Sequence, residues 1–316
     1  MIPVKQLQYE ALLAHLPKAH PLYSRIYDHY GLFEAGNYGE NSIDYYVDVA
    51  GLDDFHLLKG LRMRDRQNFQ IDRLIVTNRF ILLLEIKNIT GSLYFDHQAH
   101  QLFRETDESK DVFPDPLLQV NIQAAQLRRI LLKHRFRLPP IITACVFVHP
   151  KARLLLHDYP DHSQILTSMA LPSYLQKITK QFSPVLSIEE MERIIEFLKS
   201  NHEEATIDIL EKYQILWEDL MKGVYCPSCL QYTMIRKRRR WECNRCGVRS
   251  SDAHLAHLFE LALLTGNRIT NQLAREFLQV DSADMMKKLL AKEPFIKIGR
   301  TKGAYYQHSD LMDRMR

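Results

Sequence analysis

Three ionisable residues stand where a sheet should be most apolar. Asp72 closes Gln70-Ile71-Asp72, and Glu85 and Lys87 follow the run Phe80-Ile81-Leu82-Leu83-Leu84. Residues two apart on a strand share a face, so Glu85 and Lys87 point the same way. A hairpin turning at Thr77-Asn78 brings position 72 opposite positions 84 to 86. Charges there cost free energy unless they are paired, ligated or at work. One solution is metal chemistry. Asp72 and Glu85, with the Ile86 carbonyl nearby, are hard oxygen ligands suited to Mg²⁺ or Mn²⁺. Lys87 beside such an ion can orient or deprotonate a water, or stabilise the charge of a phosphate in its transition state, which is the chemistry of phosphodiester hydrolysis. The other solution is a buried salt bridge of Lys87 with Asp72 or Glu85, and the spacing leaves both open.

A second constellation is more specific. Cys226-Pro227-Ser228-Cys229, a thirteen-residue interval, then Cys243-Asn244-Arg245-Cys246-Gly247 has the spacing of a zinc ribbon. Two knuckles supply four thiolates to one structural Zn²⁺, leaving no open position for a substrate. The intervening hairpin carries Arg236, Lys237, Arg238, Arg239 and Arg240 with Trp241, a basic strip with an aromatic, as a nucleic-acid contact needs. His254 and His257 lie close downstream, but the four-cysteine set is already full.

The chain has 316 residues, 46% of them hydrophobic, which is enough for two or three cores. Its net charge of +4 implies no nucleic acid by itself; the clustering of Lys and Arg says more. MIPVKQLQYEALLAHLPKAH lacks the apolar centre of a signal peptide, and no later run approaches the roughly 18 apolar residues of a membrane span. The expectation is a cytoplasmic protein without membrane contact. Reduced thiols follow, with Cys145 simply buried in its apolar run.

These residues need elements to position them. The pattern predicts a helix from Gly39 to about Gly51, a strand over HLLKGLRMRD, the hairpin Gln70–Val76 with Arg79–Lys87, and another strand at GSLYFD. Pro116 opens a helix running to about His134, and PPIITACVFVHP is a buried strand. Strands buried on both faces and alternating with helices indicate a mixed α/β core. Ser187 and Glu190 form a capping box for a helix over 188–200, and a second helix is expected over roughly 203–221. Toward the end, a helix with Leu273 and Phe277, a turn at Val280-Asp281, a helix with Met285 and Leu289, and a hairpin around Gly303 resemble a winged helix-turn-helix. Lys287, Lys288 and Lys292 would then face phosphates, with Arg300 and Lys302 on the wing; the alternative is a helical packing domain with a solvated lysine face. Tyr305-Tyr306 is expected in the core.

Gln70-Ile71-Asp72, the hairpin, Glu85-Ile86-Lys87-Asn88 and Gly91 together resemble the PD-(D/E)xK nuclease superfamily, and more narrowly its nuclease-related domain family, NERD, over about residues 36–150. The resemblance implies a restriction-endonuclease-like fold, a mixed sheet flanked by helices, and divalent-metal cleavage of DNA. It also implies that Glu40, after Gly39, joins the metal site, and that Gln119 in Asp115-Pro116-Leu117-Leu118-Gln119 contacts a metal-bound water or the substrate phosphate. Glu40 equally suits a helix N-terminus, and Gln119 equally suits a surface position beside Gln123. No proline precedes Asp72, a departure in the loose half of the superfamily signature. The expected organisation is a lead-in over 1–35, a nuclease-like domain over 36–183, a helical connector over 184–222, the ribbon over 223–250 and a winged-helix-like domain over 251–316. A non-catalytic nucleic-acid-binding or adaptor protein on the same scaffold is the competing function.

Overall fold

A computed structural model describes residues 2–315 apart from His157, Asp158, Pro160, Asp161, Arg238, Glu293 and Lys302, and leaves out the side chains of Asp313 and Met315. The chain divides into two compact units, Glu34–Glu203 and a second built from Met1–Phe33 with Glu204–Arg316. Helix α1 (Val4–His15) belongs to the latter, and α2 (Tyr23–Val49) enters the former at Glu34. The helix predicted from Gly39 thus starts sixteen residues earlier (39 − 23). Gly31 and Gly36, inside this helix, have nothing within 4 Å of a Cβ position and cost it only their entropy.

In the unit Glu34–Glu203, β1 (Phe55–Arg64), β2 (Asn68–Thr77) and β3 (Ile81–Lys87) form an antiparallel meander. β4 (Gly91–Asp96), β5 (Gln101–Glu105) and β6 (Lys110–Pro114) form a second meander, followed by α3 (Pro116–Lys133), β7 (Ile141–Phe147), β8 (Ala152–Leu155) and β9 (Ile165–Thr167). Helices α4 (Leu171–Gln181) and α5 (Ile188–Ser200) complete the unit. The main sheet has the order β1-β2-β3-β7-β9, parallel between β3, β7 and β9; the smaller one has the order β6-β5-β4-β8. This is a mixed α/β fold with mixed sheets flanked by helices.

β3 explains the arrangement. Its run Ile81-Leu82-Leu83-Leu84 is fully buried, and the side chains alternate between two cores. Leu83 and Ile81 pack with α3, α5 and the smaller sheet through Val120, Leu127, Ile194 and Leu93. Leu82 and Leu84 pack with α2 and α4 through Ile43, Val47, Leu171 and Leu175. Each such leucine contributes about 1.5–3 kcal/mol of burial, so the strand's register is strongly fixed. The hairpin before it is pinned by Thr77, whose Oγ1 accepts from the backbone N–H of Phe80 at 2.9 Å and of Arg79 at 3.1 Å.

The other unit holds α6 (Ile209–Tyr213), the three-stranded ribbon sheet β10 (Met234–Lys237), β11 (Arg240–Cys243) and β12 (Arg249–Ser250), then α7 (His254–Leu264). Next come α8 (Asn271–Leu278), α9 (Ala283–Leu290), the hairpin β13 (Phe295–Ile298) with β14 (Tyr305–His308), and α10 (Ser309–Met315). The helix expected over 203–221 is only α6 plus a 3₁₀ turn at Trp217–Asp219, because Gln214 adopts a left-handed conformation (φ 53°) and ends α6. Tyr306 is buried as expected, while half-buried Tyr305 lies under the Arg268 guanidinium at 4.6 Å. Among the described residues no helix is long and apolar enough to cross a membrane.

Candidate functional site

The β2–β3 register pairs Arg73 with Leu84, and one step further along the hairpin Asp72 stands beside Glu85. The Asp72 carboxylate accepts the backbone N–H of Ile86 at 2.9 Å, which anchors it across the strand gap. Lys87 Nζ donates to Glu85 Oε1 at 2.5 Å and to Gln119 Oε1 at 3.2 Å. The structure therefore brings Asp72, Glu85, Lys87 and Gln119 to one end of β3. Glu85 is almost completely buried, whereas the Lys87 side chain keeps 23% of its surface exposed, so the cluster opens to solvent on the lysine side.

Gln119 reaches the cluster because α3 starts where it does. Pro116 occupies its first turn, and the Asp115 carboxylate caps it by accepting the N–H groups of Leu117 and Leu118. One turn on, Gln123 is buried and donates from Nε2 to Glu85 Oε2 at 3.3 Å, while its Oε1 is buried without a hydrogen-bond partner among the described residues. Gln123 was not among the expected site residues; its four-residue spacing from Gln119 places both on one helix face.

Glu40 arrives from the opposite side of the sheet. It pairs with Arg73, Nη1 to Oε2 at 3.3 Å, on the face that β2 turns toward α2. Close docking of α2 is possible because residue 39 is glycine: a Cβ there would stand 2.7 Å from Asn88 Cβ. Arg73, also absent from the expected set, is 2% exposed and donates to Asp44, Asn41 and the Asp72 carbonyl as well.

The electrostatics are those of a site rich in acid. Burial, then the charges of Glu85 and Glu40, raise the Asp72 carboxyl to about 8, against smaller pulls from the Ile86 N–H and Lys87. Glu40 is also raised, first by burial, with Arg73 opposing. Burial pushes Lys87 down, but the Glu85 charge and hydrogen bond outweigh it and the amine is raised. A divalent cation would relieve the crowding of the acids. The donor set fits one: Asp72 and Glu85 are hard oxygen ligands, and the orphaned Gln123 Oε1 is an acceptor that a metal-bound water would satisfy.

In the ribbon, the four sulfurs of Cys226, Cys229, Cys243 and Cys246 all lie within 4.8 Å of one another. Cys226 to Cys246 and Cys229 to Cys243 are each 3.6 Å apart. A tetrahedron with Zn–S of about 2.3 Å has edges of about 3.8 Å, so the cluster can hold zinc. Desolvation pushes the Cys243 thiol up, but the Thr233 hydroxyl and the N–H groups of Cys246 and Arg245 outweigh it and bring it to about 5, toward the thiolate that zinc requires.

The nearby histidines are engaged elsewhere. His254 Nδ1 accepts the Trp241 indole N–H at 3.1 Å. His257 Nε2 accepts the Tyr225 N–H at 2.9 Å, and its Nδ1 lies 2.8 Å from Glu260 Oε2, which is also 2.8 Å from His15 Nε2. These are hydrogen-bond lengths, shorter than the about 3.4 Å separating two ligands at 2.0–2.1 Å from one tetrahedral Zn²⁺.

The basic run divides by strand alternation. Arg236 lies over Trp241 at 5.5 Å, with Nε and Nη1 buried and unpartnered among the described residues; Lys237 pairs with Glu242 at 2.9 Å; Arg239 and Arg240 are exposed. Lys287, Lys288, Lys292 and Arg300 are exposed as well, while Arg238 and Lys302 lie outside the described residues.

Residues 35–148 match the family model of the nuclease-related domain. This stretch is a NERD domain. It takes in Glu40, Asp72, Glu85, Lys87, Gln119 and Gln123, and leaves the cysteine cluster outside. The PD-(D/E)xK nucleases are the superfamily context of NERD. No curated protein and no solved structure matches the chain.

Proposed function

We propose that the protein is a metal-dependent nuclease acting on DNA. The observation that carries this reading is the convergence of Asp72, Glu85, Lys87 and Gln119 at one end of β3, inside a NERD domain. Asp72 and Glu85 would hold Mg²⁺ or Mn²⁺, with Glu40 at the rim. The bound ion would act as Lewis acid toward a phosphodiester and lower the pKa of its water. Lys87 lies at the open side of the cluster, placed to orient the attacking water or to meet the developing phosphate charge. Gln119 holds the amine in that position. Exposed Arg239, Arg240, Lys287, Lys288 and Arg300 would supply salt-dependent phosphate contacts, with Arg236 and Lys237 serving the ribbon hairpin itself.

One observation favours a second reading. The 2.5 Å contact of Lys87 with Glu85 is also what a nucleic-acid-binding scaffold without catalysis would use to neutralise a buried acid. Incubating the purified chain with plasmid and Mg²⁺ or Mn²⁺, beside Lys87→Ala, decides between them. The nuclease reading expects cleavage that needs the ion and is lost in the variant. DNA binding without cleavage in either protein supports the scaffold, and equal cleavage by both removes the site from consideration.

A further inference from the structure

Strand alternation sends Asp72 and Arg73 to opposite faces of the main sheet. We infer that Arg73, on the face turned away from Lys87, is the positioning residue of the carboxylate site, setting Glu40 and the Asp72 backbone where a divalent cation needs them. The inference rests on the metal-site reading above and deepens it. A guanidinium 2% exposed survives in a core only if its donors are satisfied. Here Nε donates to Asp44 Oδ1 at 3.0 Å, Nη2 to Asn41 Oδ1 at 2.9 Å, and Nη1 to both the Asp72 carbonyl at 2.8 Å and Glu40 Oε2 at 3.3 Å.

Two features set this apart from a plain core ion pair. The side-chain partners Glu40, Asn41 and Asp44 come from a single turn of α2, while the fourth partner is the main chain of Asp72. One planar fork therefore ties the helix that carries Glu40 to the strand that carries Asp72. Secondly, the partners are not held alike. Asp44 is gripped twice, by Arg73 and by Lys59 Nζ at 2.5 Å. Glu40 has the longest of the four Arg73 bonds, on a nitrogen shared with the Asp72 carbonyl, and its charge is felt at Asp72. Arg73 thus fixes Asp44 as a strut and leaves Glu40 poised between the guanidinium and the acid cluster. Lysine would keep the charge, but its three donors sit on one compact nitrogen and cannot reach the four acceptors spread along the Arg73 fork.

The test is Mn²⁺ affinity, read by calorimetry or electron paramagnetic resonance on the intact chain with its zinc retained. Arg73→Lys is expected to stay folded by circular dichroism and to bind Mn²⁺ about 10–100-fold more weakly, the usual effect of losing a residue that orients ligands. Asp44→Asn removes the charge that Arg73 and Lys59 share without touching an Asp72 contact; it is expected to lower thermal stability while holding Mn²⁺ affinity within about threefold. Glu40→Gln is expected to weaken Mn²⁺ binding, and Arg73→Lys added to it is expected to cost less than Arg73→Lys alone, because the two share one route. Wild-type affinity in folded Arg73→Lys overturns the inference alone, as does a loss in Asp44→Asn equal to that in Arg73→Lys. Absence of Mn²⁺ binding in the wild-type chain overturns the metal-site reading and the inference together.

Discussion

If Asp72 carries a proton near neutrality, a cation must displace it, and that can be measured. Its carboxyl is raised from 3.8 to about 8, chiefly by burial and then by Glu85 and Glu40. Metal binding requires the ionised form, so Mn²⁺ affinity should fall about twenty- to thirtyfold between about pH 8.5 and about pH 6.5, approaching tenfold per unit at the acid end. Each Mn²⁺ bound near pH 7 should release about one proton, visible as buffer-dependent heat in calorimetry. The stability of the ion-free protein moves the other way. The folded value lies above the unfolded one, so folding takes up a proton between the two, and stability falls as pH rises from about 4 to about 8. About four units at about 1.4 kcal/mol each set a ceiling of roughly 6 kcal/mol, of which relaxation and water entry leave a fraction. Asp72→Asn escapes that cost. It should therefore abolish Mn²⁺ binding and yet raise the melting temperature of the ion-free protein by a few degrees, for a gain of about 1–2 kcal/mol. A flat Mn²⁺ affinity across this pH range, or an Asp72→Asn protein that melts below the wild type, would refute the reasoning.

Other outcomes follow from single contacts. Gly39→Ala, which in an exposed helix interior gains about 1 kcal/mol, should here be destabilising and weaken metal binding, because the new Cβ meets Asn88 Cβ at 2.7 Å; urea titration with parallel Mn²⁺ binding reads both. Lys87→Met should lower the stability of the ion-free protein by about 2–4 kcal/mol, since Glu85 is left buried without its cation, and saturating Mn²⁺ should restore much of the loss. Metal analysis should find about one zinc per chain, and Cys229→Ser should lose it along with the amide exchange protection of β10 and β11. Replacing exposed Arg239 and Arg240 together with Gln should reduce the salt slope of DNA binding by about two, without changing Mn²⁺ affinity.

Much of the site was legible because strand periodicity is rigid. A buried hairpin with its turn at Thr77 to Phe80 admits one register, which sets Asp72 beside Glu85 and turns Lys87 to the same face. The Asp115-Pro116 start likewise fixes where α3 begins, and so where Gln119 points. Arg73 and Gln123 were not legible. A strand sequence says which face a residue occupies but not what the other layer brings to it; Arg73 next to Asp72 reads as an edge charge until α2 supplies three acceptors. Gln123 reads as surface until the burial of Glu85 is known. The strands β5 and β6 escaped because QLFRE and KDVFP alternate too weakly to signal pairing, carrying only Leu102 as a fully buried residue between them.

The salt-bridged and metal-binding readings of Lys87 need not compete, and the charge arrangement suggests why. A knot built only for stability would spend its amine on all the acid it buries. Lys87 instead contacts Glu85 and Gln119, while Asp72 is held by a backbone N–H and driven up to about 8 by burial and then by its acidic neighbours. The Arg73 guanidinium meets Asp72 only at its carbonyl, its remaining bonds going to α2. Among the described residues the cluster is therefore short of positive charge at Asp72, and Gln123, which donates to Glu85, keeps a buried acceptor without a donor. Asp72 and Glu85 would hold a hydrated divalent ion that supplies both missing items, and Lys87, no longer needed to neutralise Glu85, would be available to a phosphate. An arrangement left incomplete in charge and in hydrogen bonding at the same place is costly as architecture and sensible as a binding site.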